Sequence, residues 1–157
     1  MSKKTTRIIA ITAVSLAALA GGSFAIWNVL SHQKFRLDGE YYATSEMIDL
    51  DKAGYEDLIS QNKSFVVLID KPGCTTTVAM RENMAAFPSN IQFRYYRMMW
   101  DEVKASSLHE KVKFTPSVAL IKNGEVTKWL QADRDEDSDY FNSGEALQRW
   151  ITDNIEF

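Results

Sequence analysis

The chain has 157 residues, of which 45% are hydrophobic and 25% charged, the proportions of an ordinary one-domain globular protein rather than of a disordered one. Its net charge of −3 hides an asymmetry, because Lys3, Lys4 and Arg7 come first, and removing them from the 18 basic residues leaves 15 against 21 acidic ones. Such a balance repels phosphate backbones and argues against a nucleic-acid partner.

Residues 8–30 carry no charge, and as a helix these 23 residues would reach roughly 35 Å, enough to cross a bilayer. With three basic residues ahead of it, the segment reads as a single-pass signal anchor. Residues 1–7 then stay in the cytoplasm and the C-terminal domain is extracytoplasmic, at the cell membrane. His32, Lys34 and Arg36 on the far side weaken the charge bias without reversing it. The alternative is a cleaved signal peptide, since Ala18-Leu19-Ala20 before Gly21 satisfies the small-residue rule for cleavage. Retention is favoured because the apolar run continues to Leu30. The single cysteine, Cys74, lies far from the segment, which excludes a lipid-modified leader.

Residues 31–45 read as a short polar and aromatic stalk, with Asp38-Gly39 as a turn and Tyr41-Tyr42 able to pack on the domain of residues 46–157. Met47 to Leu50 reads as a strand, and Asp51 can cap a helix whose apolar residues Tyr55, Leu58 and Ile59 share one face. Phe65 to Ile69 is an unbroken apolar, β-branched run, the mark of a strand covered on both faces. After Lys71-Pro72-Gly73-Cys74, the residues Val78, Met80, Met84 and Phe87 fit a helix ended by Pro88. A strand over 91–98 and a helix over 101–111 follow. Ser117 to Lys122 and Glu125 to Leu130 flank Asn123-Gly124, a strong hairpin signal. An acidic loop, 133–139, leads to a last helix with Asn142 and Glu145 spaced as a capping box and Leu147, Trp150, Ile151 and Ile155 as its apolar stripe. The element order, β-α-β-α-β-α-β-β-α, predicts an α/β fold with a central mixed sheet and helices on both faces.

Over about residues 46–156 the sequence resembles the thioredoxin family. Three pieces carry the likeness: the apolar strand leading to Cys74 at a helix start, Phe114-Thr115-Pro116 ahead of a strand, and the Ile121-Lys122-Asn123-Gly124-Glu125-Val126 hairpin. More closely, it resembles the membrane-anchored monothiol thioredoxin-like proteins of Gram-positive bacteria. The likeness implies a thioredoxin-like fold behind one transmembrane helix. It also implies a cis peptide between Thr115 and Pro116 beside Cys74, and pairing of the backbone there with bound extended polypeptide. The bland alternative for Pro116 is a trans proline at a strand start. Departures are equally informative. Cys74-Thr75-Thr76-Thr77 replaces Cys-x-x-Cys, Gly73 replaces the family's tryptophan, and Leu68 stands in place of its buried aspartate. Gly73, Thr115 and Pro116 are the implied substrate-binding positions.

Physically, a thiol at a helix start feels unpaired N–H groups and the positive end of the dipole, which favour the thiolate, and Thr77 one turn on can add a hydroxyl hydrogen bond. Cys74 and Thr77 are thus the candidate catalytic residues, against the alternative of Cys74 as a small buried hydrophobe. The acidic run offers alternating carboxylates to a hard cation, but Ser138 and Gly144 occupy positions where a calcium loop needs glycine and glutamate, so a solvated loop is the favoured reading. His109 has no cysteine or second histidine near it in sequence and reads as a helix-surface residue, while Trp100, Trp129 and Trp150 read as packing. No metal or other cofactor is expected.

Two functions remain open. One is a membrane-tethered extracytoplasmic protein that exchanges thiols and disulfides on exported proteins through Cys74, an oxidoreductase or isomerase without a resolving cysteine. The other is a non-enzymatic module whose groove binds polypeptide and whose Cys74 is structural.

Overall fold

A computed structural model describes residues 34–157; the expected membrane anchor, residues 8–30, lies outside the described residues. Among the described residues no helix is long and apolar enough to cross a membrane.

Five strands form one mixed sheet: β1 (Met47–Leu50), β2 (Phe65–Asp70), β3 (Tyr95–Met99), β4 (Ser117–Lys122) and β5 (Glu125–Gln131), in the spatial order β1-β3-β2-β4-β5. The first three run parallel, with Leu68 opposite Arg97, and β4 and β5 complete the sheet antiparallel, with Ile69 opposite Ser117. Central β2 is buried at every position and β4 at all but Lys122, which is why both are continuous apolar runs rather than alternating ones. Helices α1 (Lys52–Ser60) and α3 (Trp100–Ala105) pack together, whereas α2 (Thr75–Ala85) packs with α4 (Ser138–Asn142) and α5 (Gly144–Asn154). The mixed sheet carrying two helical groups is the predicted α/β architecture.

The hairpin turn shows how local chemistry fixes long-range register. Asn123 and Gly124 both take positive φ, 52° and 77°, as the tight turn between two right-twisted strands requires. The Gly124 N–H donates to Lys63 O at 2.9 Å, and a Cβ at Gly124 would lie 2.6 Å from Ile59 O. The turn is therefore seated against the end of α1.

Several boundaries differ from the pattern-based expectation. The third strand starts at Tyr95, because Pro88 is followed by a 3-10 turn at Ser89–Ile91, although Ile91 and Phe93 are still buried. The helix expected over 101–111 divides after Ala105, where Ser106 Oγ donates back to Val103 O and a 3-10 turn, Ser107–Glu110, takes over. Ser143 rather than Asn142 caps α5, accepting from Ala146 N–H, while Asn142 ends α4 and bonds back to Ser138. The acidic run folds as a 3-10 turn, Asp135–Asp137, leading into α4.

Residues 34–45 are packed rather than stalk-like. Phe35, Leu37 and Tyr41 are buried. Phe35 bridges Ile155, and its N–H and C=O bond Asn154 O at 3.0 Å and Glu156 N–H at 2.9 Å. The Tyr42 hydroxyl accepts from Leu37 N–H at 2.8 Å and donates to Glu156 O at 2.7 Å. This strap closes one end of the core by clasping the C-terminus.

Candidate active site

The chain leaves β2 through Asp70 and turns at Lys71-Pro72-Gly73, with Cys74 N–H donating to Lys71 O at 3.3 Å. Gly73 has φ +76° and nothing within 4 Å of a Cβ, so the left-handed backbone, not crowding, calls for glycine there. Cys74 then becomes the N-cap of α2 and is partly exposed. It stands in front of the unpaired amides of the first turn, the position predicted for it.

Along α2 the inward residues are Thr77, Met80 and Met84, and Val78, expected on the apolar face, is instead 45% exposed. Thr77 is only 1% exposed, and its hydroxyl oxygen is buried with no hydrogen-bond partner of conventional geometry among the described residues. The Cys74 sulfur is the acceptor that would satisfy it. Burial pushes the Cys74 thiol up, and the Asp70 carboxylate adds to that push. The Thr77 hydroxyl and the N–H groups of Thr77 and Thr76 oppose both and win, leaving the thiol below its ordinary value.

Asp70 was not singled out from the sequence. It is 7% exposed; its Oδ1 accepts Lys71 N–H at 2.7 Å and its Oδ2 lies 4.0 Å from Arg97, whose guanidinium grips Asp49 through two bonds of 2.6 and 2.8 Å. That grip holds Asp49 below the usual carboxylate range. Because side chains alternate along a strand, Asp70 shares a face with Leu68, one pleat nearer Cys74. The only signal in the sequence was an acid ending an apolar run.

Thr115 and Pro116 come to the same end of the sheet. Ser117, which opens β4, pairs with Ile69, and the buried Thr115 hydroxyl donates to Ile69 O at 3.4 Å. The Thr115–Pro116 bond is cis. Pro116 O accepts from Ala132 N–H at 3.1 Å, whereas among the described residues neither the N–H nor the C=O of Thr115 has a partner. Phe114, next to it, is 40% exposed. The structure thus places Thr77 in the first turn of the helix that Cys74 caps, Gly73 in the approach loop, and Thr115-Pro116 across the β2–β4 pair. Among the described residues no three His, Cys, Asp or Glu side chains are grouped to hold a metal ion. His109 is half-buried against Trp100, with ring centroids 5.4 Å apart.

Similar solved structures now decide the fold. A point mutant of a thioredoxin from Halobacterium salinarum superposes with a TM-score of 0.53 at 15% identity, over 73% of this chain and 96% of its own. The reduced thioredoxin pre-protein of Schistosoma mansoni gives 0.52 at 19%, over 71% of this chain and 100% of its own. The fold is thioredoxin-like. Trxlp from Edwardsiella tarda is similar at a TM-score of 0.50 and 15% identity, over 68% and 98% of the two chains. No family model and no curated protein sequence matches the chain. The thioredoxin-like fold puts the loop after β2 and the loop before β4 side by side, which is where this chain's thiol and cis proline lie.

Proposed function

We propose that this chain is a monothiol thiol–disulfide exchange protein, held at the membrane by residues 8–30 and acting outside the cytoplasm on disulfides of exported polypeptides. The observation that carries the reading is a partly exposed Cys74 at the N-cap of α2, one turn before a buried Thr77 hydroxyl that has no hydrogen-bond partner of conventional geometry among the described residues, with the hydroxyl and the first-turn N–H groups holding the thiol below its ordinary value. The Cys74 thiolate attacks one sulfur of a substrate disulfide. The substrate S–S bond breaks, one substrate sulfur leaves as a thiolate, and a Cys74–substrate disulfide forms. With one cysteine in the chain, that intermediate has no internal route to release. An external thiolate attacks the substrate sulfur, restores the Cys74 thiolate and leaves a rearranged disulfide, so the full cycle neither gains nor loses electrons. Isomerisation and transfer are within its reach, and independent oxidation is not.

A polypeptide substrate is favoured by the Thr115 backbone, which is unpaired among the described residues and offers one donor and one acceptor for strand addition. The exposed apolar side chains Val78 and Phe114 also favour it. Val78 lies one turn after Cys74, to whose carbonyl its N–H donates, and Phe114 adjoins Thr115. The test is rearrangement of a scrambled disulfide protein in a glutathione buffer. The wild-type chain should accelerate recovery of native disulfides and Cys74→Ser should not. Equal rates for the two proteins would leave Cys74 without a chemical role and favour a binding module.

A further inference from the structure

Far along the chain from Cys74, the acidic run and two of the tryptophans converge. Tyr140, Trp150 and Ala146 line a cleft of about 230 Å³ together with Glu136, Asp139 and Asp153. The two rings are inclined at 47° with centroids 6.4 Å apart, and both residues line the cleft. Both are half-buried and packed on the core, which holds them in place. Among the described residues none of the three carboxylates takes part in an ion pair, and the one cation in the lining, Arg149, is engaged by Glu145 at 2.7 Å. A second, wider cleft shares Glu136, Tyr140 and Trp150 and adds Trp129. There the protein already uses the interaction that such a surface offers. The Arg134 guanidinium sits 5.8 Å over the Trp129 ring, fixed by Trp129 O and by buried Asp137.

We propose that the Tyr140–Trp150 cleft is a binding site for a small organic ammonium group, preferentially a methylated one. Aromatic faces attract cations through the ring quadrupole, and methylation lowers the desolvation cost while keeping the charge. The unpaired carboxylates supply charge of the complementary sign at the rim. A cavity of 230 Å³ is below the roughly 300 Å³ at which sites for drug-sized ligands begin, which restricts the occupant to a headgroup. An added polypeptide strand is disfavoured along this edge of the sheet, because the outward Trp129 O and Gln131 N–H of β5 are already taken by Arg134 and Asp137.

The experiment is a titration of the full-length, ¹⁵N-labelled chain with tetramethylammonium chloride, following the four tryptophan indole N–H signals. The controls are sodium chloride at equal ionic strength and tert-butanol as an uncharged analogue of similar shape. The Trp150 signal should move saturably with a Kd on the order of millimolar, Trp100 should stay still, and neither control should reproduce the shift. Trp150→Leu should weaken binding about tenfold, read from the Tyr140 ring signals. Asp139→Asn and Asp153→Asn, both on exposed side chains that the fold does not use, should each weaken it several-fold and flatten its salt dependence. Absence of a saturable shift, an equal shift with tert-butanol, or binding of a tetralysine peptide without binding of tetramethylammonium would each overturn the proposal.

Discussion

The Thr77 hydroxyl is buried three residues after Cys74 and bonds no oxygen among the described residues, which leaves it free to turn to the sulfur. Thr77→Val, nearly the same shape, should therefore raise the Cys74 pKa and slow its reaction with a small disulfide near neutrality by roughly threefold to tenfold. The fold should keep its stability to within about 1 kcal/mol, since the substitution removes a buried hydroxyl that has no partner of conventional geometry among the described residues. Asp70→Asn should do the opposite to the thiol, because it removes a negative charge that opposes ionisation. A stopped-flow comparison of the three proteins at one pH checks both signs. The linkage to stability also has a definite direction. A thiol depressed in the folded state contributes stability that is fully present above the unfolded value and is lost as pH falls through the lower native one. The stability difference between wild type and Cys74→Ser should hence grow with pH across that window, and denaturant melts at stepped pH would show it.

At the scale of elements, what was legible in the sequence is what depends on neighbours along the chain. The unbroken Phe65–Ile69 run could only be a central strand, and Asn123-Gly124 could only be a tight turn, because burial on both faces and positive φ at two successive residues leave little choice. Cys74, Thr77 and Pro116 were legible for the same reason, each belonging to a short motif. Asp70 was not, since its nearness to the thiol depends on how the Lys71-Pro72-Gly73 turn folds back after β2. Nor was the exposure of Val78, which changed places with a threonine that the helical pattern counted as polar. The helix over 101–111 failed at Ser106-Ser107, where hydroxyls compete with the helix for its own carbonyls. Gly124→Ala should cost about 1–3 kcal/mol, read from urea midpoints, because the turn needs the left-handed backbone and a Cβ would meet Ile59 O.

For the whole molecule, the strap of residues 34–45 changes what counts as the folding unit. It buries Phe35, Leu37 and Tyr41 and hydrogen-bonds the C-terminal residues; of this the sequence suggested the packing of Tyr41-Tyr42, but not the burial of Phe35 and Leu37 or the backbone bonds to Asn154 and Glu156. A fragment of residues 46–157 should consequently unfold well below one of residues 34–157, with a loss of several kcal/mol from three buried side chains. Calorimetry of the two fragments would decide it, and equal melting temperatures would return the segment to a mere spacer. The proposed tether places this unit outside the membrane, so protease added to intact cells should release it.

The central claim is that the fold makes Cys74 a reactive thiolate, and its most direct test is the rate of Cys74 alkylation as a function of pH, measured on the native chain and again in denaturant. The account predicts a native profile whose midpoint lies below that of the unfolded chain, with native Cys74 still reacting in mildly acid solution where the unfolded thiol has ceased to. A native thiol that resists alkylation throughout, or that titrates at or above the unfolded value, would contradict it.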